Sequence, residues 1–189
     1  MPNRIQQVNR DKEAINICLK TFIEKGVLET RSRDLSKALS LQSGGMYYYF
    51  SSMDDAVIAC AEEAANILET QLIVSALRDL DNPELLMKNL KERADELSPM
   101  MQFLIQASTT NRYREKLHPV LDRISKRYEE YVHKFSMKLH CDVEEIEPYV
   151  YMGITAVTNY MLFGDDKFIL SQTQLIKKEI EKLKMRMSD

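Results

Sequence analysis

The amino-acid sequence predicts an all-α chain: a three-helix head containing a helix-turn-helix, followed by a longer helical body. Three observations carry the fold class. Apolar residues recur three and four positions apart along most of the 189 residues, the spacing that lines one face of a helix. Gly and Pro number five each, too few for a many-turned β protein or a disordered chain. Charge is divided unevenly: residues 1–52 carry eight Lys and Arg against five Asp and Glu, whereas residues 53–189 carry 18 against 24. A basic head on an acidic body suits a nucleic-acid partner for the head alone. The expected division is therefore 1–52 and 53–189.

Composition narrows the setting. With 44% hydrophobic residues the chain can bury a sizeable core. No window holds eighteen uncharged apolar residues, so no membrane span is expected. The polar start MPNRIQQVNRDKE lacks the apolar centre of a signal peptide. Cys18, Cys60 and Cys141 are odd in number and widely spaced, which suits a reducing cytoplasm better than a disulfide framework. A cytoplasmic protein is the expectation.

Asn9 or Asp11 is placed to cap a first helix whose stripe is Ile15, Cys18, Leu19, Phe22 and Ile23, ended by Lys25-Gly26. Arg4 and Arg10 precede or begin it and are candidates for a flexible DNA-reaching arm, or plain solvated residues. A second helix, about Ser32 to Leu39, puts Leu35, Ala38 and Leu39 on one face, with Asp34 in its first turn where a negative charge suits the helix dipole. Ser40-Leu41-Gln42-Ser43 turns the chain, with Leu41 as an apolar plug. A third helix, about Ser43 to Phe50, buries Met46 and Phe50 at i, i+4. Two short helices joined by such a turn make a helix-turn-helix. Tyr47, Tyr48 and Tyr49 are consecutive and cover about 200° of a helix, so at least one hydroxyl must face outward. Ser43, Gly44 and Gly45 leave the helix N–H groups nearly bare, which suits a phosphate, unless the glycines serve only to close the turn.

Gly26-x3-Thr30-x3-Asp34-Leu35-Ser36-x2-Leu39-x-Leu41-x2-Gly44-x-Met46-Tyr47-x-Tyr49-Phe50 resembles, without a gap, the amino-terminal signature of TetR-type (tetracycline-repressor-like) transcriptional regulators. That signature reads G-x3-T-x4-I-A-x3-G-V-S-x-G-x-L-Y-x-Y-F, followed by a Ser-Lys-Glu start to the next helix. The resemblance covers about the first quarter of the chain. It implies a dimeric DNA-binding regulator, not an enzyme, that is released from a double-stranded operator by a small-molecule effector. On that implication Arg33 and Lys37 approach phosphates, Ser43, Tyr47 and Tyr49 touch the backbone beside the bare N–H groups of Gly44 and Gly45, and Gln42 and Tyr48 reach base edges. Tyr47 is alternatively buried with its hydroxyl satisfied inside the head. Four departures stand out. Ser40 occupies the usual turn glycine, where a left-handed conformation costs about 1 kcal/mol or more. Gln42 replaces the usual N-cap Ser, leaving Ser43 to cap. Met53 replaces a common phosphate-touching Lys, a loss that weakens binding on every sequence. Gly45 offers no side chain where relatives often place a base-touching Thr or Ala.

Ser52 caps the next helix, whose residues Val57, Cys60, Ala61, Ala64, Ile67, Leu68 and Leu72 keep helical spacing; by resemblance it connects head to body. Asp79 to Pro83 breaks the chain, and Pro83 fits the first position of a helix ending near Leu97. Ser98-Pro99 starts another, through about Ala107. Pro119 starts or kinks a long helix ending near Leu139, and His140-Cys141-Asp142 turns the chain. Tyr149 to Phe163 is apolar nearly all round, and Phe168 to Met187 is amphipathic. A helix apolar on every side must be covered on every side, so these last two helices are expected to form a homodimer, as in the resembled family, or else an intrachain core.

No nucleophile, phosphate-loop or dinucleotide motif appears. His118, His133 and His140 lack a carboxylate at ligand spacing, so no metal and no cofactor is expected. The candidate ligand pocket draws on Met87, Met100, Met101, Phe103 and Tyr113, and on Tyr128, Tyr151, Met152, Asn159 and Tyr160. These mix soft apolar groups with isolated polar handles, as do both ordinary cores and sites for small apolar ligands. The runner-up function is an all-helical ligand-binding or adaptor protein that has lost DNA binding, supported by Met53 and Gly45.

Overall fold

The first helix, α1 (Arg4–Lys25), ends where Gly26 takes φ +90 and its N–H bonds back to Phe22 O at 2.8 Å. α2 (Ser32–Ala38) follows, then a 3-10 turn (Gly45–Tyr48) and α3 (Met53–Leu68). α3 runs on through a π-helical turn (Glu69–Ile73) into α4 (Val74–Asp79). α5 (Pro83–Thr109), α6 (Asn111–Leu139), α7 (Val143–Phe163) and α8 (Asp166–Arg186) complete the chain. This computed structural model describes residues 4–79 and 82–186, with side chains from Asp11 onward apart from that of Pro83. Every regular element among the described residues is helical. No helix among them is long and apolar enough to cross a membrane.

Two compact units form, and they do not follow the 52/53 division expected from the sequence. The first comprises residues 1–67 and 102–121, and the second residues 68–101 and 122–189. The reason lies in packing between distant segments. Phe22 of α1 stacks on Phe103 with ring centroids 5.8 Å apart, and the Val27 N–H donates to Gln106 Oε1 at 3.0 Å. Cys18, Phe22, Val27, Leu35, Met46, Val57, Cys60, Leu117 and Val120 are all essentially buried within this unit. Asp54, at the start of α3, accepts from Arg112 Nε at 2.7 Å and also from Lys116 Nζ, both on α6.

The second unit is built around Leu86, Tyr131, Val132, Phe135, Leu139, Ile146, Val150, Ile180 and Leu183, with α7 packed along α8. Polar links fasten its helices. Glu69 in the π-helical turn accepts from Arg127 and from the Tyr131 hydroxyl on α6. Asp79 at the end of α4 accepts from Arg78 at 2.7 and 2.9 Å and from Asn89 of α5 at 2.7 Å. The Tyr160 hydroxyl of α7 donates to Asp95 of α5.

Several sequence expectations are corrected. α1 begins at Arg4, so neither Asn9 nor Asp11 caps it. The side chains of Arg4 and Arg10 lie outside the described residues, as does Met187. Pro99 does not divide α5, which continues through it. A proline removes one backbone donor and bends a helix without having to end it. Of the two placements expected for Pro119, the structure has it inside α6 rather than at its start. Ser52 does cap α3, accepting the Asp55 N–H at 3.1 Å. α7 ends at Gly164, which takes φ +67.

Candidate nucleic-acid interface

The α1–α2 connection is fixed by Thr30, whose hydroxyl donates to Gly26 O at 2.7 Å. Asp34, in the first turn of α2, accepts the Arg31 N–H at 2.8 Å and the Lys25 ammonium at 2.7 Å. The ammonium first, then the backbone donor, hold the Asp34 carboxyl below its ordinary range. Leu35 is fully buried, as expected, but Ala38 is exposed and Leu39 half-buried.

Ser36 takes the inward position that the sequence spacing gave to Ala38, and it does more than fill space. Its hydroxyl donates to Ser32 O at 3.0 Å and accepts the buried Met46 N–H at 3.1 Å. That bond pins the turn after α2 to α2 itself. The signal was present in the sequence as a serine in the middle of a short helix, where a back-bonded hydroxyl is a common use.

The second helix of the motif is shorter than expected. In place of Ser43 to Phe50 there is a four-residue 3-10 turn, Gly45–Tyr48, preceded by Gly44 at φ +85. A left-handed residue cannot belong to a right-handed helix, so the helix cannot start at Ser43, and neither Gln42 nor Ser43 caps it. Ser40 does adopt the strained conformation expected of a residue in the glycine position, at φ +58. Leu41 is no buried plug, being 38% exposed. Its Cβ instead excludes any side chain at Gly45, where an added Cβ would lie 2.4 Å away.

Met46 and Phe50 are buried, as the i, i+4 spacing required, and this turns the tyrosines outward. Tyr47 is 55% and Tyr48 65% exposed, so the reading with Tyr47 buried does not hold. Tyr49 is half-buried and meets Tyr48 edge to face, centroids 5.0 Å apart at 85°. Arg33, Lys37, Gln42, Ser43 and Gly44 are exposed, and Gly45 is half-buried. Two outward phenols therefore share the motif with two exposed cations and several exposed polar groups. This mix can meet phosphate and sugar through hydroxyls and charge, and base edges through Gln42.

The ten candidate pocket residues do not share one unit. Phe103 and Tyr113 lie in the first, the other eight in the second. Met87 and Tyr128 pack on the second unit's core, while Tyr151 is exposed. Asn159 donates to Thr155 O of its own helix at 3.1 Å. Tyr160, bonded to Asp95, has its hydroxyl pushed up to about 12, the carboxylate acceptor being the main cause.

No family model and no curated protein matches the sequence. Solved structures do match the fold. A TetR-family transcriptional regulator from Mesorhizobium loti MAFF303099 superposes with a TM-score of 0.63 at 12% identity, covering 96% of this chain and 97% of that one. The chain has the TetR-type fold. Two further structures with this fold carry ligands. The multidrug binding protein EbrR, complexed with imidazole, matches with a TM-score of 0.62 at 15% identity, over 90% of this chain and 89% of that one. The transcriptional regulator FadR from Bacillus subtilis, in complex with stearoyl-CoA, matches with a TM-score of 0.55 at 17% identity, over 91% and 96%. In this version of the TetR-type fold the exposed tyrosine pair stands on a 3-10 turn.

Proposed function

We propose that the chain is a homodimeric transcriptional regulator, a repressor that holds a double-stranded operator through Arg33, Lys37, Gln42, Ser43 and Tyr47 to Tyr49. A small, mostly apolar effector taken up by the body releases it. The observation that carries the reading is the pairing of α2 with a 3-10 turn that bears outward tyrosines, set early in a chain whose fold matches a TetR-family transcriptional regulator over nearly its whole length. The stearoyl-CoA named for FadR, with its long acyl chain, favours an effector site of apolar character in a chain of this fold. Of the ten candidate residues, Met87, Met100, Met101, Tyr128, Tyr151, Met152, Asn159 and Tyr160 belong to the second unit and are the proposed lining. Effector binding acts by favouring the form whose two heads are wrongly spaced for DNA.

The exposed apolar side chains Tyr151 and Phe163 on α7, with Leu170, Leu175 and Met185 on α8, favour a homodimer through these helices. A dimer places two heads on two half-sites of a near-palindrome.

A specific observation favours the second reading, a helical ligand-binding or adaptor protein without DNA binding. A four-residue 3-10 turn offers less to a major groove than a full helix, and Met53 carries no charge. One experiment separates the two. Binding to the DNA upstream of the protein's own gene is titrated with salt, for the wild type, Arg33→Ala and Tyr48→Ala. The regulator reading expects selective binding that both substitutions weaken with the fold unchanged, Arg33→Ala also lowering the salt slope by about one. Full-strength binding by both variants would remove these assignments, and no selective binding at any salt would favour the adaptor.

A further inference from the structure

Within the first unit, the α1–α2 connection and the starts of α3 and α6 line a partly open cavity of about 280 Å³. None of the residues assigned above to DNA, and of the body pocket only Tyr113, lines it. Its apolar wall is Val27, Leu28, Met53 and the buried Tyr113 ring. Its polar groups are unevenly committed. The Thr30 hydroxyl is spent on Gly26 O. The Arg112 guanidinium lies 5.5 Å from the Tyr113 ring centroid and is bonded to Asp54, a carboxylate that also serves Lys116. The Arg31 guanidinium forms no ion pair with a described carboxylate, and the nearest acid in α2, Asp34, is already held by Lys25 and by the Arg31 N–H. Two arginines thus line a partly apolar space beside which one carboxylate, Asp54, is shared between two cations.

No acidic residue is among those lining this space, and it has room for a compact apolar group. A planar guanidinium takes a carboxylate through two parallel hydrogen bonds, and an apolar wall keeps water from competing for them. We propose that this cavity binds a small organic carboxylate carrying one ring or a short branched chain, with Arg31 and Arg112 on the carboxylate. The apolar part packs against Val27, Leu28, Met53 and Tyr113. The site is separate from the proposed effector pocket, and binding there does not rest on the regulator reading.

Benzoate is the probe, titrated into the full chain and followed by the backbone amide spectrum, with benzamide as the uncharged molecule of the same shape. The expected result is saturable shifts centred on residues 27–32 and 112–113, with benzamide at least about tenfold weaker. Arg31→Gln, at an exposed side chain, and Leu28→Trp, which fills the cavity from its rim, should each weaken benzoate by about tenfold while leaving the circular dichroism unchanged. Equal affinity for benzoate and benzamide would overturn the proposal. So would benzoate binding unaffected by both substitutions, or shifts centred in the second unit. Loss of operator binding with benzoate binding intact would remove the regulator reading and leave this site standing.

Discussion

A Cβ placed on Gly45 would stand 2.4 Å from that of Leu41, closer than real Cβ atoms come. Its neighbour Gly44 has open space around it and is required instead by its backbone, at φ +85. The two glycines therefore answer different constraints, and substitution tells them apart. Gly45→Ala should cost about 1–3 kcal/mol of stability by overpacking. Leu41→Ala should not recover it, because the clash is with the β-carbon that alanine keeps. Urea unfolding of the single and double variants measures this, and full recovery in the double variant would contradict the geometry. The same close approach leaves no room for any side chain at position 45.

Among the elements, the pairing of α2 with the 3-10 turn depends on one hydroxyl. Ser36→Ala leaves the buried Met46 N–H without an acceptor, which should cost about 1–3 kcal/mol. Faster hydrogen exchange at the Met46 amide is the direct readout, and unchanged exchange would show that the turn is held otherwise. A second element junction titrates. Hydrogen bonds from Arg78, then Asn89, hold the Asp79 carboxyl down to about 2, below the ordinary carboxylate value near 4. A lowered folded-state value means the stabilisation is fully present above about 4 and is lost as the pH falls toward 2. Asp79→Asn should flatten the acid limb of stability against pH in that window, and an unaltered limb would assign the acid sensitivity to other groups. These junctions also mark where the sequence was legible. Long helices with a sustained apolar stripe, such as α1 and α8, could be read from period alone. The outward tyrosines followed from burying Met46 and Phe50. Ala38 misled because an apolar residue at helical spacing looks like core until a serine with a specific bond takes the inward place, and Leu41 because an apolar residue in a tight turn looks like its buried plug. Pro99 misled because a proline in a 27-residue helix bends it at the loss of one bond among many. The shortened second helix was hidden by Gly44, whose backbone conformation the sequence permits without requiring.

For the whole molecule, the exposed apolar side chains of α7 and α8 decide the oligomeric state of the regulator reading. Phe163 is 76% exposed, and Leu175 of α8 is also exposed. The double substitution Phe163→Asp and Leu175→Asp puts two charges into the proposed contact and should convert the dimer to a folded monomer in sedimentation equilibrium. A dimer of undiminished affinity would move the interface elsewhere. The make-up of the first unit has a different consequence. Its core is assembled from residues 1–67 and from 102–121, with 34 intervening residues belonging to the other unit. On the ribosome, where synthesis is vectorial, Phe22 and Val27 emerge long before Phe103 and Gln106 exist to meet them. The segment that carries α2 and the 3-10 turn is thus no interchangeable cassette. A chimera that grafts residues 1–52 onto a foreign body inherits the motif without the aromatic stack, the hydrogen bond from Val27 to Gln106 and the Asp54 contacts that seat it.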